Sequence, residues 1–433
     1  MGTTVSGKRT RLLVPGILCL FASIPALAAE TQHLALPQVI EISLQNNGDL
    51  KAYREEKGIR DAGKVKAGLL PNPTFDFEAG TGALTGSKNE NSLALGLSQE
   101  FFLAGKRDKR LTIAERELDA YRWQLADRQR VLREEVKTAF YDALLAKERL
   151  ALTDRSIALN RQLLDVTKER LAAGDIPELE MNLAKVELAR SEGARIEVAK
   201  AMLQSQSRLW TLMGAPAGTQ PAIEGKLESG TSVSKPLADL KQQAHSSRPD
   251  IKTLEAENSR GEADIALAHA ERIPNLTAGL VFRRDTTSME IGGVEGKDTA
   301  YSIGVKLSMP IPVFDRNQAG VQEARAKKSS SEARLTAAVR TVEREIETAY
   351  ASLQNATSVL ALYKADIIPQ LEENLKLTQE AYRLGEVNIL SVIQEQKKFF
   401  EVNDGYLTAL HDRQTALVKL ESVTATELTG GEK

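Results

Sequence analysis

Residues 132–174 read LREEVKTAFYDALLAKERLALTDRSIALNRQLLDVTKERLAAG, and their apolar positions recur every seven. Val136, Ala143, Leu150, Ile157, Leu164 and Leu171 form one row; Leu118, Leu125, Leu132, Ala139 and Ala146 form a second that carries the pattern back toward Gly105. A seven-residue repeat on an α-helix makes a stripe that drifts around the axis and is buried only by winding against another helix. No proline interrupts Gly105 to Ile176, so the spacing predicts one helix of about 67 residues, on the order of 100 Å long. Ordinary globular helices are far shorter.

The stretch ends in Gly174-Asp175-Ile176-Pro177, where glycine can take a left-handed cap and proline can open the next helix. Helical periodicity returns over roughly 178–213, which makes a long helical hairpin across about 106–213. The same plan recurs downstream. Leu70-Pro71-Asn72-Pro73 answers Ile273-Pro274-Asn275-Leu276, Glu135 to Phe140 answers Glu345 to Tyr350, and Gly174-Asp175-Ile176 answers Gly385-Glu386-Val387. A second heptad helix carries Val339, Ile346, Leu353, Leu360 and Ile367 beside Leu335, Val342, Ala349, Ala356 and Tyr363, with Pro369 expected to bend it. Two copies are expected, residues 29–225 and 226–433, the second with its hairpin at about 317–428 and the join through the Pro, Gly and Ser-rich stretch from Gly214 to Pro249.

Ahead of each hairpin lies a pair of alternating segments, at about 74–81 and 92–102 and again at about 275–284 and 299–310. Phe75 and Phe77 oppose Asp76 and Glu78; Leu280 and Phe282 oppose Val281 and Arg283. Period two marks strands, and strands of about 9 to 11 residues with one apolar face suit an outer-membrane barrel. Four strands cannot close a barrel, whereas three chains would supply twelve.

Lys8, Arg9 and Arg11 precede an apolar stretch that ends in Ala26-Leu27-Ala28, the order of a secretory signal, so residues 1–28 are expected to be a leader. Its removal takes the net charge from −2 to −5 and carries away Cys19, the only cysteine. That balance advertises no nucleic-acid partner, and a mean hydropathy of −0.28 excludes a bundle of membrane-spanning helices. Enzyme motifs fail on spacing. Gly80-Thr81-Gly82 to Gly86 is followed by a strand where a dinucleotide loop needs a helix, and Gly296-Lys297 is followed by Asp298 where a phosphate loop needs Ser or Thr. Both read as hairpin loops. His269 and Glu271 have no third ligand nearby, so no metal site, cofactor or catalytic residue is expected.

With Leu36-Pro37-Gln38-Val39-Ile40-Glu41, Asn46-Asn47-Gly48-Asp49-Leu50, Leu70-Pro71-Asn72-Pro73, Gly105-Lys106-Arg107 and the tip sequences Arg170 to Gly174 and Tyr382 to Glu386, the chain resembles the TolC-like outer membrane efflux proteins, within them the CzcC-like heavy-metal (cobalt-zinc-cadmium) branch. The resemblance implies a mainly α fold with a small membrane β part: a homotrimer with a twelve-stranded barrel in outer-membrane lipid, four strands per chain, continued through the periplasm by an α-barrel of coiled-coil hairpins. It implies a passive duct working with a periplasmic adaptor and an inner-membrane pump of the resistance-nodulation-division type, with heavy-metal cations as cargo. Drug efflux or type I secretion is the alternative cargo reading, and a soluble periplasmic coiled-coil adaptor the alternative class. Arg170, Leu171 and Gly174 with Arg383, Leu384 and Gly385 would be the tips that meet the adaptor. Constricting carboxylates would fall six and nine residues after the second tip glycine, where this chain has Ser391 and Gln394; Glu386 and Glu395 lie beside them as substitutes.

Overall fold

The computed structural model describes residues 33–228 and 235–428, so the expected leader at 1–28 lies outside it. In chain order the elements are β1 (His33–Leu34), α1 (Leu36–Asn46), α2 (Gly48–Glu55), α3 (Lys57–Gly68), β2 (Thr74–Thr81), β3 (Asn91–Phe101), α4 (Lys106–Ala173), α5 (Glu178–Leu212), β4 (Ala222–Ile223), α6 (Leu237–Ser247), α7 (Pro249–Ala270), β5 (Leu276–Ile291), β6 (Val294–Ser308), α8 (Gln318–Leu362), α9 (Ile368–Arg383) and α10 (Ile389–Thr424).

Helix α4 is unbroken over 68 residues. Its heptad rows are where the packing is: Leu118, Leu132, Val136, Ala139, Ala143, Ile157 and Leu164 are buried. Helix α5 returns along α4, α10 also runs along α4, and α8 and α9 pack along α10. The residues that pack them are small or aliphatic, so the backbones approach closely over a long seam.

In the second hairpin the heptad fails after Leu360. Residues Tyr363–Ile367 form a turn of π-helix, and Ile368 N–H donates to Tyr363 O, five residues back. Pro369 lacks the N–H that would have bonded Ala365, and the wider turn absorbs that loss. The extra residue rotates the helix, so Ile367, expected in the seam, is exposed, and burial resumes at Leu371 and Leu375.

Tyr363 leans from the π turn toward Gly405 on α10, where an added Cβ would lie 2.5 Å from its hydroxyl. A mid-helix glycine costs about 1 kcal/mol against alanine. Gly405→Ala is expected to recover that gain only together with Tyr363→Phe, measured as the thermal midpoint. A rise with Gly405→Ala alone would remove the steric explanation.

Strands β2, β3, β5 and β6 form one antiparallel sheet in that order, and β1 pairs with β4 in a short parallel ladder. Register places Phe77, Leu95, Phe282 and Ile303 in one row across all four strands and Phe75, Leu97, Leu280 and Val305 in the next. The opposite face carries Glu78, Ala94, Arg283 and Ser302 in one row and Thr74, Ser98, Gly279 and Lys306 in another. One face is therefore apolar and exposed, the other polar, as alternation requires.

Strands β5 and β6 correct two expectations. They run over 276–291 and 294–308 instead of about 275–284 and 299–310, and Gly296-Lys297 lies within β6, not in a loop. The turn is Gly292-Gly293, both at positive φ, 63° and 81°. The apolar alternation stops after Phe282 because the residues from Arg283 to Ser288 are all polar, but backbone pairing continues to a turn that only glycine accommodates easily. This ribbon outruns β3 by the pairs from Thr287 with Asp298 to Ile291 with Val294, about 17 Å at the usual strand rise.

Shorter helices fill the waist. Ile265 and Ala268 of α7 pack on Val321 and Ala324 of α8, and α7 also lies along α4. Arg248, buried at the start of α7, binds Asp250, Glu345 on α8 and the Val423 carbonyl of α10. Burial opposes its charge, but the Asp250 and Glu345 carboxylates outweigh that and hold its pKa above the ordinary value. The sequence reading assigned no element to α1–α3 or α7, and treated α6 as connecting chain.

Candidate docking tips and gate

The first hairpin turns at Gly174, φ 82°. Its N–H donates to Leu171 O and the Asp175 N–H to Arg170 O, which satisfies the last carbonyls of α4. The second turns at Gly385, φ 80°, with Gly385 N–H on Tyr382 O and Glu386 N–H on Ala381 O. The two tips sit side by side because the hairpins pack through a common cluster: Leu163, Leu164, Ala184, Tyr382, Ile389, Val392 and Ile393.

The six tip residues divide by environment. Leu384 and Arg383 are well exposed, the latter within 3.9 Å of Glu380. Leu171 is half-buried. Arg170 is occupied within the chain: its Nη1 donates to Tyr382 O at 2.8 Å and its guanidinium lies 4.8 Å from the Tyr382 ring centre. Arg170 is therefore a bridge between hairpins as well as a tip residue.

Tyr382, Thr167 and Glu180 were missed from sequence. Tyr382 is 1% exposed, and its hydroxyl donates to Glu180 Oε2 at 3.1 Å and lies 3.5 Å from Thr167 Oγ1. Burial, reinforced by the Glu180 carboxylate, raises the Tyr382 pKa, so the phenol keeps the proton it donates. The available signal was an aromatic residue three positions before a left-handed glycine. It does not reveal a partner on another hairpin.

The gate candidates are not gathered in one chain. Glu386 is exposed in the turn and Gln394 is exposed on α10. Ser391 is committed locally, its N–H and Oγ both bonded to Asn388 Oδ1 at 3.1 and 3.2 Å as part of the α10 cap. Glu395 turns Oε1 inward, buried and without a hydrogen-bond partner among the described residues. Among the described residues no group of three or more His, Cys, Asp or Glu could hold a metal ion, and no helix is long and apolar enough to cross a membrane.

A sheet with one exposed apolar face and one polar face, standing on helical hairpins far longer than the sheet, has the two-faced alternation of a membrane β-barrel wall. The chain matches the family described as Outer membrane efflux protein over residues 39–215 and 240–426, and it belongs to that family of transport components. It is 25% identical over 391 residues to the cobalt-zinc-cadmium resistance protein CzcC of Cupriavidus metallidurans, covering 90% of each chain. Identity to the outer membrane protein OprJ of Pseudomonas aeruginosa is 27% over 406 residues, 89% of this chain and 82% of that one. The open state of the MtrE outer membrane channel of Neisseria gonorrhoeae has the same fold, with a TM-score of 0.72 at 18% identity over 92% of this chain and 90% of that one. This protein is an outer-membrane efflux channel.

Proposed function

We propose that three copies close into one duct that carries heavy-metal cations outward from an inner-membrane pump of the resistance-nodulation-division type, through a periplasmic adaptor. The observation that supports closure is that both layers end on open flanks. In the sheet β2 and β6 are edges with unpaired backbone on one side, a state that lipid does not tolerate. In the helical layer α5 exposes Leu179, Val186, Ile196 and Leu203, and α9 exposes Leu377. Each flank of the first half then meets a flank of the second half of the next copy, and four strands become twelve. Mass measurement in detergent tests this. A trimer is expected, and monomers or dimers alone would sink the proposal.

The cargo reading rests on the CzcC likeness. Deleting the gene should sensitise cells to cobalt, zinc or cadmium, and restored resistance on re-expression is the expected result. Unchanged metal tolerance with new sensitivity to drugs, or with loss of a secreted polypeptide, would move the cargo to those classes.

The tips would meet the adaptor, and the first two turns of α10 would line the constriction. A ring of Ser391 and Gln394 is neutral, so divalent cations should block reconstituted channels weakly, and Ser391→Ala should change little. Strong block abolished by Glu386→Gln would place an acidic ring at the turn instead.

A further inference from the structure

The apolar face of the sheet is graded row by row, and the grading places two cations. At the end that joins the helices, Phe101 pairs with Leu276. Beyond the rows of Leu97 and Leu95, the next row on that face is Ala79, Leu93, Arg284 and Tyr301. From Phe101 to Leu93 the strand covers about 26 Å at the usual rise, which in tilted strands fills most of an apolar band about 25 Å tall. Arg284 therefore stands where the band ends, beside Tyr301, whose ring centre lies 6.2 Å from that of Phe282. Tyrosine favours the membrane interface, and a cation on the lipid side is tolerated there far better than at midplane.

Past that row the same face is polar. Thr81, Asn91, Thr286 and Thr299 come next, then Ser288 with Lys297, then Glu290 with Glu295. Glu295 is engaged locally, accepting from Asn89 and Ser288. Lys297 lies about 13 Å along β6 from Tyr301. Both Arg284 and Lys297 are exposed, and neither forms an ion pair among the described residues. Both stand toward the hairpin turns, at the end of the sheet away from the long helices.

We infer that Arg284 and Lys297, with the hydroxyl row between them, form an interaction surface for the phosphates of the glycolipid of the outer leaflet, lipopolysaccharide. The inference rests on the reading that the apolar face meets lipid with the helices on the periplasmic side. A guanidinium presents paired donors that match two phosphate oxygens, and an ammonium meets a phosphate as a point charge. The threonine hydroxyls and the Asn91 amide between them can bond the sugar that carries the phosphates. Phospholipid of the inner leaflet would meet the other end of the face, where the pair Phe101 and Leu276 offers no charge. Arg283, adjacent in sequence, stands with Glu78, Ala94 and Ser302 on the opposite face and takes no part.

Titrating the full chain in detergent with fluorescently labelled lipopolysaccharide tests this. Arg284→Gln and Lys297→Gln should each weaken binding about tenfold, Arg284→Lys should cost less than Arg284→Gln, and Arg283→Gln should change nothing. Lipopolysaccharide stripped of its phosphates should bind the parent no better than the intact lipid binds the double variant. Equal weakening by Arg283→Gln would reduce the effect to net charge and overturn the assignment. So would unchanged binding by the double variant, full displacement of the lipid by inorganic phosphate, or a preference for phosphatidylglycerol. If Leu95→Arg, on the same face, assembles normally, that face does not meet lipid and the inference falls with it. If Leu95→Arg fails to assemble while the double variant binds as the parent does, the lipid-facing reading stands and only this assignment is wrong.

Discussion

Leu95→Arg should abolish assembly into the outer membrane. Leu95 lies in the row Phe77, Leu95, Phe282 and Ile303, near the middle of β3 and on the apolar face. A cation facing lipid at midplane costs about 2–4 kcal/mol, and in a closed trimer the cost would arise three times in one cooperative barrel. Leu95→Thr adds no charge and introduces a β-branched side chain that suits a strand, so it should assemble nearly as the parent does. Fractionation of outer membranes and recovery of the trimer in detergent measure both. Normal assembly of Leu95→Arg would mean that this face does not meet lipid.

Reversing charge at the two tip arginines should give two different results. Arg170→Glu removes a charge-assisted bond to Tyr382 O, worth about 1.5–3 kcal/mol, together with the stacking on the Tyr382 ring. It also brings a second carboxylate toward the Tyr382 and Glu180 pair. The two hairpin tips should separate, seen as faster hydrogen exchange around Leu163 and Val392 with the waist unchanged. Arg383→Glu touches only an exposed side chain beside Glu380, so the fold should be indifferent. Loss of adaptor crosslinking in Arg383→Glu, with the trimer intact, is the result that the docking role requires. If crosslinking and export survive, docking lies elsewhere.

These contrasting expectations could not be written from sequence. Arg170 and Arg383 precede their turns in similar strings, and only the packing of α4 against α9 and α10 makes one a bridge and leaves the other exposed beside Glu380. The family resemblance puts Ser391 at a pore position, and the structure shows its hydroxyl engaged by Asn388 three residues earlier. Spacing along one helix reports which residues share a face. It carries no information about what the face meets.

Local and periodic properties were legible in the amino-acid sequence. The unbroken α4 follows from a heptad without proline, the two tip turns from glycines that can take positive φ, and the two-faced sheet from strict alternation, because each depends on residues a few positions apart. Tertiary structure decided the rest. The π turn before Pro369 and the shifted seam beyond it depend on α10 accepting Tyr363 at Gly405. The long β5 and β6 ribbon depends on pairing that polar faces do not announce. Tyr382, Thr167, Glu180 and Arg170 meet across 202 to 215 residues of chain, a distance over which only the packed hairpins determine who is neighbour to whom.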